Sequence, residues 1–91
     1  MTIQNPLVRD LVGPLLELDD EEVSWRSERW RDHLETVSAA EVDSLHQQIL
    51  AEIDRFEGND GPGPHPPREY EILKALYYVT AYVSDMHKLN R

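Results

Sequence analysis

The side chains through which this chain could do acid–base or metal chemistry are four histidines and eighteen carboxylates, with no cysteine among them. A carboxylate-bridged metal centre in a helical bundle draws on paired Glu-x-x-His motifs plus further glutamates on facing helices. Asp43 and His46 form the one acid–histidine pair at that spacing, while His33 directly follows Asp32 and Asp85 stands two residues before His87. His46 falls about 40° from the centre of its helix's apolar stripe, the place of a boundary histidine that caps a core. His65 lies in a proline-rich stretch, and His87 sits near a helix end, where it can meet terminal carbonyls. No metal or cofactor is expected from this set.

Nucleophilic chemistry fares no better. Without cysteine there is no thiolate, no disulfide framework and no thiolate metal site. No Gly-x-Ser-x-Gly elbow occurs, and Gly58, Gly61 and Gly63 match neither the dinucleotide nor the mononucleotide phosphate loop. The expectation is a non-catalytic protein.

Binding chemistry is better represented. Glu17, Asp19, Asp20, Glu21 and Glu22 form an acidic run at a helix start, where the helix dipole accounts for part of it. Just beyond it stands Trp25, which at 100° per residue falls about 200° from the apolar stripe of its own helix, among Glu21, Glu28, Arg29 and Asp32. A tryptophan there either is covered by the N-terminal segment, with Arg29 stacked on its face, or anchors a partner. Tyr78, between Glu71, Lys74 and Asp85 on the last helix, is its counterpart. The candidate partner-binding residues are therefore Asp19, Asp20, Glu21, Glu22, Trp25, Arg29 and Tyr78.

Charge narrows the partner. The net charge is −9, and residues 1–57 carry all of it, with 14 acids against 5 bases, whereas residues 58–91 hold 4 of each. Such a surface repels phosphate backbones and speeds encounter with basic proteins, so a protein with a basic or aromatic-accepting surface is favoured over nucleic acid. A mimic of nucleic acid that occupies a DNA-binding protein would need an unbroken acidic face, and Arg26, Arg29, Arg31 and Arg55 interrupt it. A small accessory or metal-associated subunit of an enzyme complex is the other alternative.

The elements that must position these residues are legible from caps and periodicity. Asn5-Pro6 reads as an N-cap and first helical residue, and Gly13-Pro14 breaks that short helix and allows a further turn. Asp19 or Asp20 caps a helix running to about Thr36, with Val23, Trp30, Leu34 and Val37 as its stripe. Ser38-Ala39-Ala40-Glu41 is a capping box with Val37 and Val42 at the staple positions, opening a helix from Ala39. Val42, Leu45, Ile49, Ile53 and Phe56 line its face, and Gly58 is placed for a left-handed C-terminal position. These two helices are expected to pair as an antiparallel hairpin.

Residues 58–67 are rich in glycine and proline and read as a connector. Pro67 then opens a last helix from Arg68 to about Lys88, whose apolar residues sweep about 220°, far wider than the ~100° one neighbour needs. Either that helix packs centrally or its second face meets another copy, and a homodimer is expected on that ground. At 91 residues the whole chain, 1–91, reads as one all-α domain, a small three- to four-helix bundle. No signal-peptide pattern or membrane-length apolar run is present, so a cytoplasmic protein is expected.

Overall fold

The computed structural model describes residues 3–58 and 67–89. Their architecture is all-α, with helices α1 (Pro6–Val12), α2 (Asp20–Leu34), α3 (Ala39–Glu57) and α4 (Arg68–Leu89), and a 3-10 turn over Gly13–Leu15 between the first two. The Gly/Pro connector falls on residues 59–66 for most of its length and lies outside the described residues, as does His65.

Side-chain caps set three of the helix starts. Asn5 Oδ1 accepts from the amides of Leu7 and Val8 at 2.9 and 3.2 Å, Asp19 Oδ1 from that of Glu22 at 2.8 Å, and Ser38 Oγ from that of Glu41 at 3.3 Å. Each removes one or more of the unpaired donors that open a helix. Two cap readings change. Gly58 keeps a right-handed conformation at φ −69°, its amide donating to the Asp54 carbonyl at 2.7 Å, so the last turn simply closes without a left-handed residue. Pro67 precedes the last helix instead of opening it, and its carbonyl receives the Tyr70 and Glu71 amides.

The dominant antiparallel hairpin is α3 with α4, not α2 with α3. Glu57 meets Tyr70, His46 meets Thr80 and Asp43 meets Ser84, so the two helices run in opposite directions along nearly their whole length. On its other side α4 packs against α2, with which it runs parallel: Arg68 pairs with Asp20 at one end and Arg31 stacks on Tyr82 near the other. The turn at residues 35–38 still reverses the chain, but it sets α2 and α3 side by side on α4 and not tightly against each other.

That arrangement explains the wide apolar arc of α4. Ile72, Leu73, Leu76, Thr80 and Val83 are buried between α2 and α3, and α1 closes over the gap with Val8 and Val12 fully buried against them. A seven-residue helix has no stability alone, so α1 exists because each of those valines contributes roughly 1.5–3 kcal/mol on burial. Its entry is fixed by two bonds to α3, from the Asn5 amide to Glu52 Oε1 at 2.8 Å and from Asn5 Nδ2 to Gln48 Oε1 at 2.9 Å. Much of the apolar width that motivated a second copy on α4 is thus taken up within one chain, while Tyr82 at the edge of the arc stays 48 % exposed.

The core has two parts. The larger runs from Ile3 and α1 through Ile49, Ile53, Phe56, Ile72 and Leu76; the smaller joins Leu34, Val42 and Val83 at the far end. Half-buried Trp30 and Leu45 border both and make them continuous. No described helix is long and apolar enough to cross a membrane.

Candidate functional site

His46 and Asp43, the one acid–histidine pair at metal-site spacing, are each engaged by α4. Thr80 Oγ1 lies 3.1 Å from the Leu76 carbonyl and 3.0 Å from that of Tyr77, so its hydrogen points to the backbone and it accepts from His46 Nδ1 at 2.8 Å. That bond sets the His46 tautomer, and the ring stacks on Tyr77 with centroids 4.8 Å apart. Asp43, its partner in sequence spacing, instead receives the Ser84 hydroxyl. Among the described residues no three His, Asp or Glu side chains come together to hold a metal ion.

Two further charged contacts tie elements to one another. The Arg68 guanidinium donates to Asp20 at 2.6 Å, to the Leu18 carbonyl at 2.9 Å and to Glu71 at 3.0 Å, and its bonds to Asp20 and then Glu71 hold its pKa above the ordinary arginine value. Asp20, one of the candidate partner-binding acids, is therefore engaged in fixing the start of α2 on α4. The Tyr70 hydroxyl donates to Glu57 at 2.6 Å, and that bond raises its pKa above the usual tyrosine value.

The remaining candidates gather on the outward side of α2. Trp25 is 51 % exposed, and the Arg29 guanidinium lies over its ring at 5.0 Å from the centroid. They stand one turn apart on α2, where one edge of the pair borders the core residues Leu15 and Leu76 and the rest is left in water. Asp19, Glu21 and Glu22 share a depression with Trp25, placing three carboxylates beside the indole, that of Asp19 also serving as the α2 cap. Glu22 also approaches Arg26 at 3.7 Å, a solvated contact of small energetic weight. Tyr78 is 62 % exposed on α4, under the Lys74 ammonium and edge-on to Tyr77, and lines neither of the depressions that Trp25 lines. The structure thus brings together Trp25, Arg29, Asp19, Glu21 and Glu22, and sets Asp20 and Tyr78 apart.

Beside Trp25 the structure adds residues that the sequence pattern left unremarked. A cleft of about 300 Å³ opens between the Gly13–Leu15 turn and α2, lined by Leu11, Leu15, Trp25, Ser27, Trp30 and Leu76, with Arg26 and Arg29 alongside. Ser27 carried the available signal, because a serine four residues after Val23 falls inside the apolar stripe. It is 9 % exposed, and its hydroxyl has no hydrogen-bond partner. Leu11 and Leu15 belong to the N-terminal segment that the sequence offered as a cover for Trp25, and they cover it in part: they line the cleft beside the ring, Arg29 stacks on it, and half of the residue stays exposed.

Comparison of the chain with protein-family models, with curated proteins and with solved structures gives no match.

Proposed function

We propose that this protein is a non-catalytic protein-binding module, a regulator, inhibitor or small subunit of a complex, whose partner docks on the outward side of α2 around Trp25. The observation that carries this reading is the half-exposed indole held under Arg29 beside the carboxylates of Asp19, Glu21 and Glu22. Leaving a large aromatic ring in water forfeits its burial energy, and tryptophan and arginine are the residue types that dominate binding hot spots. Stacking on Arg29 restricts both side chains before a partner arrives, which lowers the entropic cost of binding. Asp19, Glu21 and Glu22 supply a negative field that speeds approach of a basic surface.

The reading is tested by replacing Trp25 with alanine and measuring partner capture and thermal stability together. A side chain whose role is binding loses capture and spares stability. Unchanged capture, or a collapse of stability, goes against it.

A further inference from the structure

The cleft next to Trp25 has features that an exposed indole alone does not explain. A serine within a helix ordinarily returns its hydrogen bond to a carbonyl one turn back or points to water, and Ser27 does neither. Leaving a buried hydroxyl unpaired costs about 1–3 kcal/mol, and alanine at this position would avoid that cost while improving helix propensity. The other lining is apolar, from Leu11, Leu15, Trp30 and Leu76, and the rim carries two guanidiniums. Arg29 forms no ion pair with any carboxylate among the described residues, although the chain has an excess of acids. An apolar cleft, an unpaired hydroxyl and an unpaired guanidinium lie together.

We propose that this cleft receives one aromatic or leucine-sized side chain of the partner, accompanied within a turn of the partner's chain by a carboxylate that Arg29 and Arg26 hold, with Ser27 hydrogen-bonding the inserted segment. This inference rests on the reading of α2 as a partner-binding face and names the partner's chemistry. A volume of about 300 Å³ stands at the lower end of ligand-sized pockets, about 300–1,000 Å³, which suits one side chain and not a cofactor. The charge along α2 gives the occupant a polarity. Asp19, Glu21 and Glu22 line the depression on one side of Trp25, whereas the charged residues lining the cleft on its other side are Arg26 and Arg29, so the matching segment is basic where it meets the depression and acidic where it meets the cleft.

The test uses the full chain and a blocked alanine-based ten-residue peptide with two lysines at one end, a central phenylalanine and two glutamates at the other. Both tryptophans of the protein line the cleft, so their fluorescence reports occupancy directly. The peptide is expected to change that emission saturably and to shift the amide resonances of Leu11, Leu15, Ser27 and Leu76. Replacing its glutamates by glutamines, or Arg29 by glutamine in the protein, weakens binding about tenfold, the usual weight of a charge-assisted bond. Ser27→Ala weakens it while leaving the melting temperature equal or higher, which a merely structural serine would not do.

Absence of a saturable change at millimolar peptide overturns the proposal, as does equal binding by the glutamine peptide and by Ser27→Ala. Binding of free 3-phenylpropionate without binding of the peptide would show a small-acid site and overturn the partner as its source. If the peptide misses the cleft while Trp25→Ala still abolishes partner capture, the cleft assignment fails and the wider reading of α2 stands.

Discussion

The Arg29 guanidinium lies over the Trp25 ring at 5.0 Å from its centroid, one turn further along the outward side of α2. Trp25 borders the core only at the cleft it shares with Leu15 and Leu76, and about half of the residue stays in water. The pair has a binding rationale and little folding rationale, since an exposed cation–π contact is worth only about 0.5–1 kcal/mol. Residues of this kind differ from those that hold the bundle together.

Glu52 belongs to the second kind. It is 5 % exposed and joins α1 to α3, accepting from the Asn5 amide at 2.8 Å and from Arg55 at 2.7 Å. Glu52→Ala leaves the Asn5 amide without its acceptor and is expected to lower stability by about 2 kcal/mol. Glu52→Gln keeps an acceptor and costs less. Urea denaturation measures both, and faster hydrogen exchange at Val8 and Val12 in the alanine variant reports the release of α1.

Ser38→Ala is expected to cost about 1 kcal/mol, the usual effect of removing an N-cap oxygen. Ser38 Oγ receives the Glu41 amide at 3.3 Å, and Ala39 begins the helix immediately after it. An unchanged denaturation midpoint would contradict the cap.

Asp20 and Glu21 are adjacent acids in different surroundings, since Asp20 is bound by Arg68 and Glu21 lies beside Trp25. Asp20→Lys breaks the bond to Arg68 and places two cations together, and is expected to lower the melting temperature slightly, since exposed pairs contribute little. Glu21→Lys is expected to leave the melting temperature unchanged and to slow partner association, with a smaller dependence on salt. Thermal melts and association kinetics on the two variants check this division.

Tyr70 adds a pH-dependent contribution to stability on the alkaline side. Its bond to Glu57 favours the neutral phenol, so the folded pKa lies above the unfolded one. The stability it contributes is fully present below about pH 10, the ordinary tyrosine value, and is lost as pH rises through the higher folded value. Tyr70→Phe removes this part of the pH dependence, and denaturation midpoints between pH 8 and 11, estimated limits bracketing the ordinary value, test the difference in slope between the two proteins.

Much of the fold is legible in the sequence because its signals are local. Asn5, Asp19 and Ser38 cap the helices they were expected to cap, and the stripe from Val42 to Phe56 faces the core as its spacing requires. Pairing is less legible. A connection as short as that at residues 35–38 suggests that α2 and α3 pack together, yet α4 offers a wider apolar surface and takes both, with α1 over the gap. For the site, the outward position of Trp25 follows from its helical angle alone. The cleft does not, because Leu11 and Leu15 reach it only through the docking of α1, which Asn5 and Glu52 fix across 47 residues of sequence.

The most direct test of the partner-binding role of α2 is the joint measurement of thermal stability and partner affinity for Trp25→Ala, with Tyr78→Ala as the exposed-aromatic control. Truncating a half-exposed ring is expected to leave the melting temperature nearly unchanged, whereas a buried tryptophan would cost about 3–5 kcal/mol. Affinity for a partner captured by the wild-type chain is expected to fall about 30-fold, equivalent to the ~2 kcal/mol threshold of a hot spot. The Tyr78 variant should bind as the wild type does. Equal binding by the Trp25 variant, or its unfolding, would contradict the account.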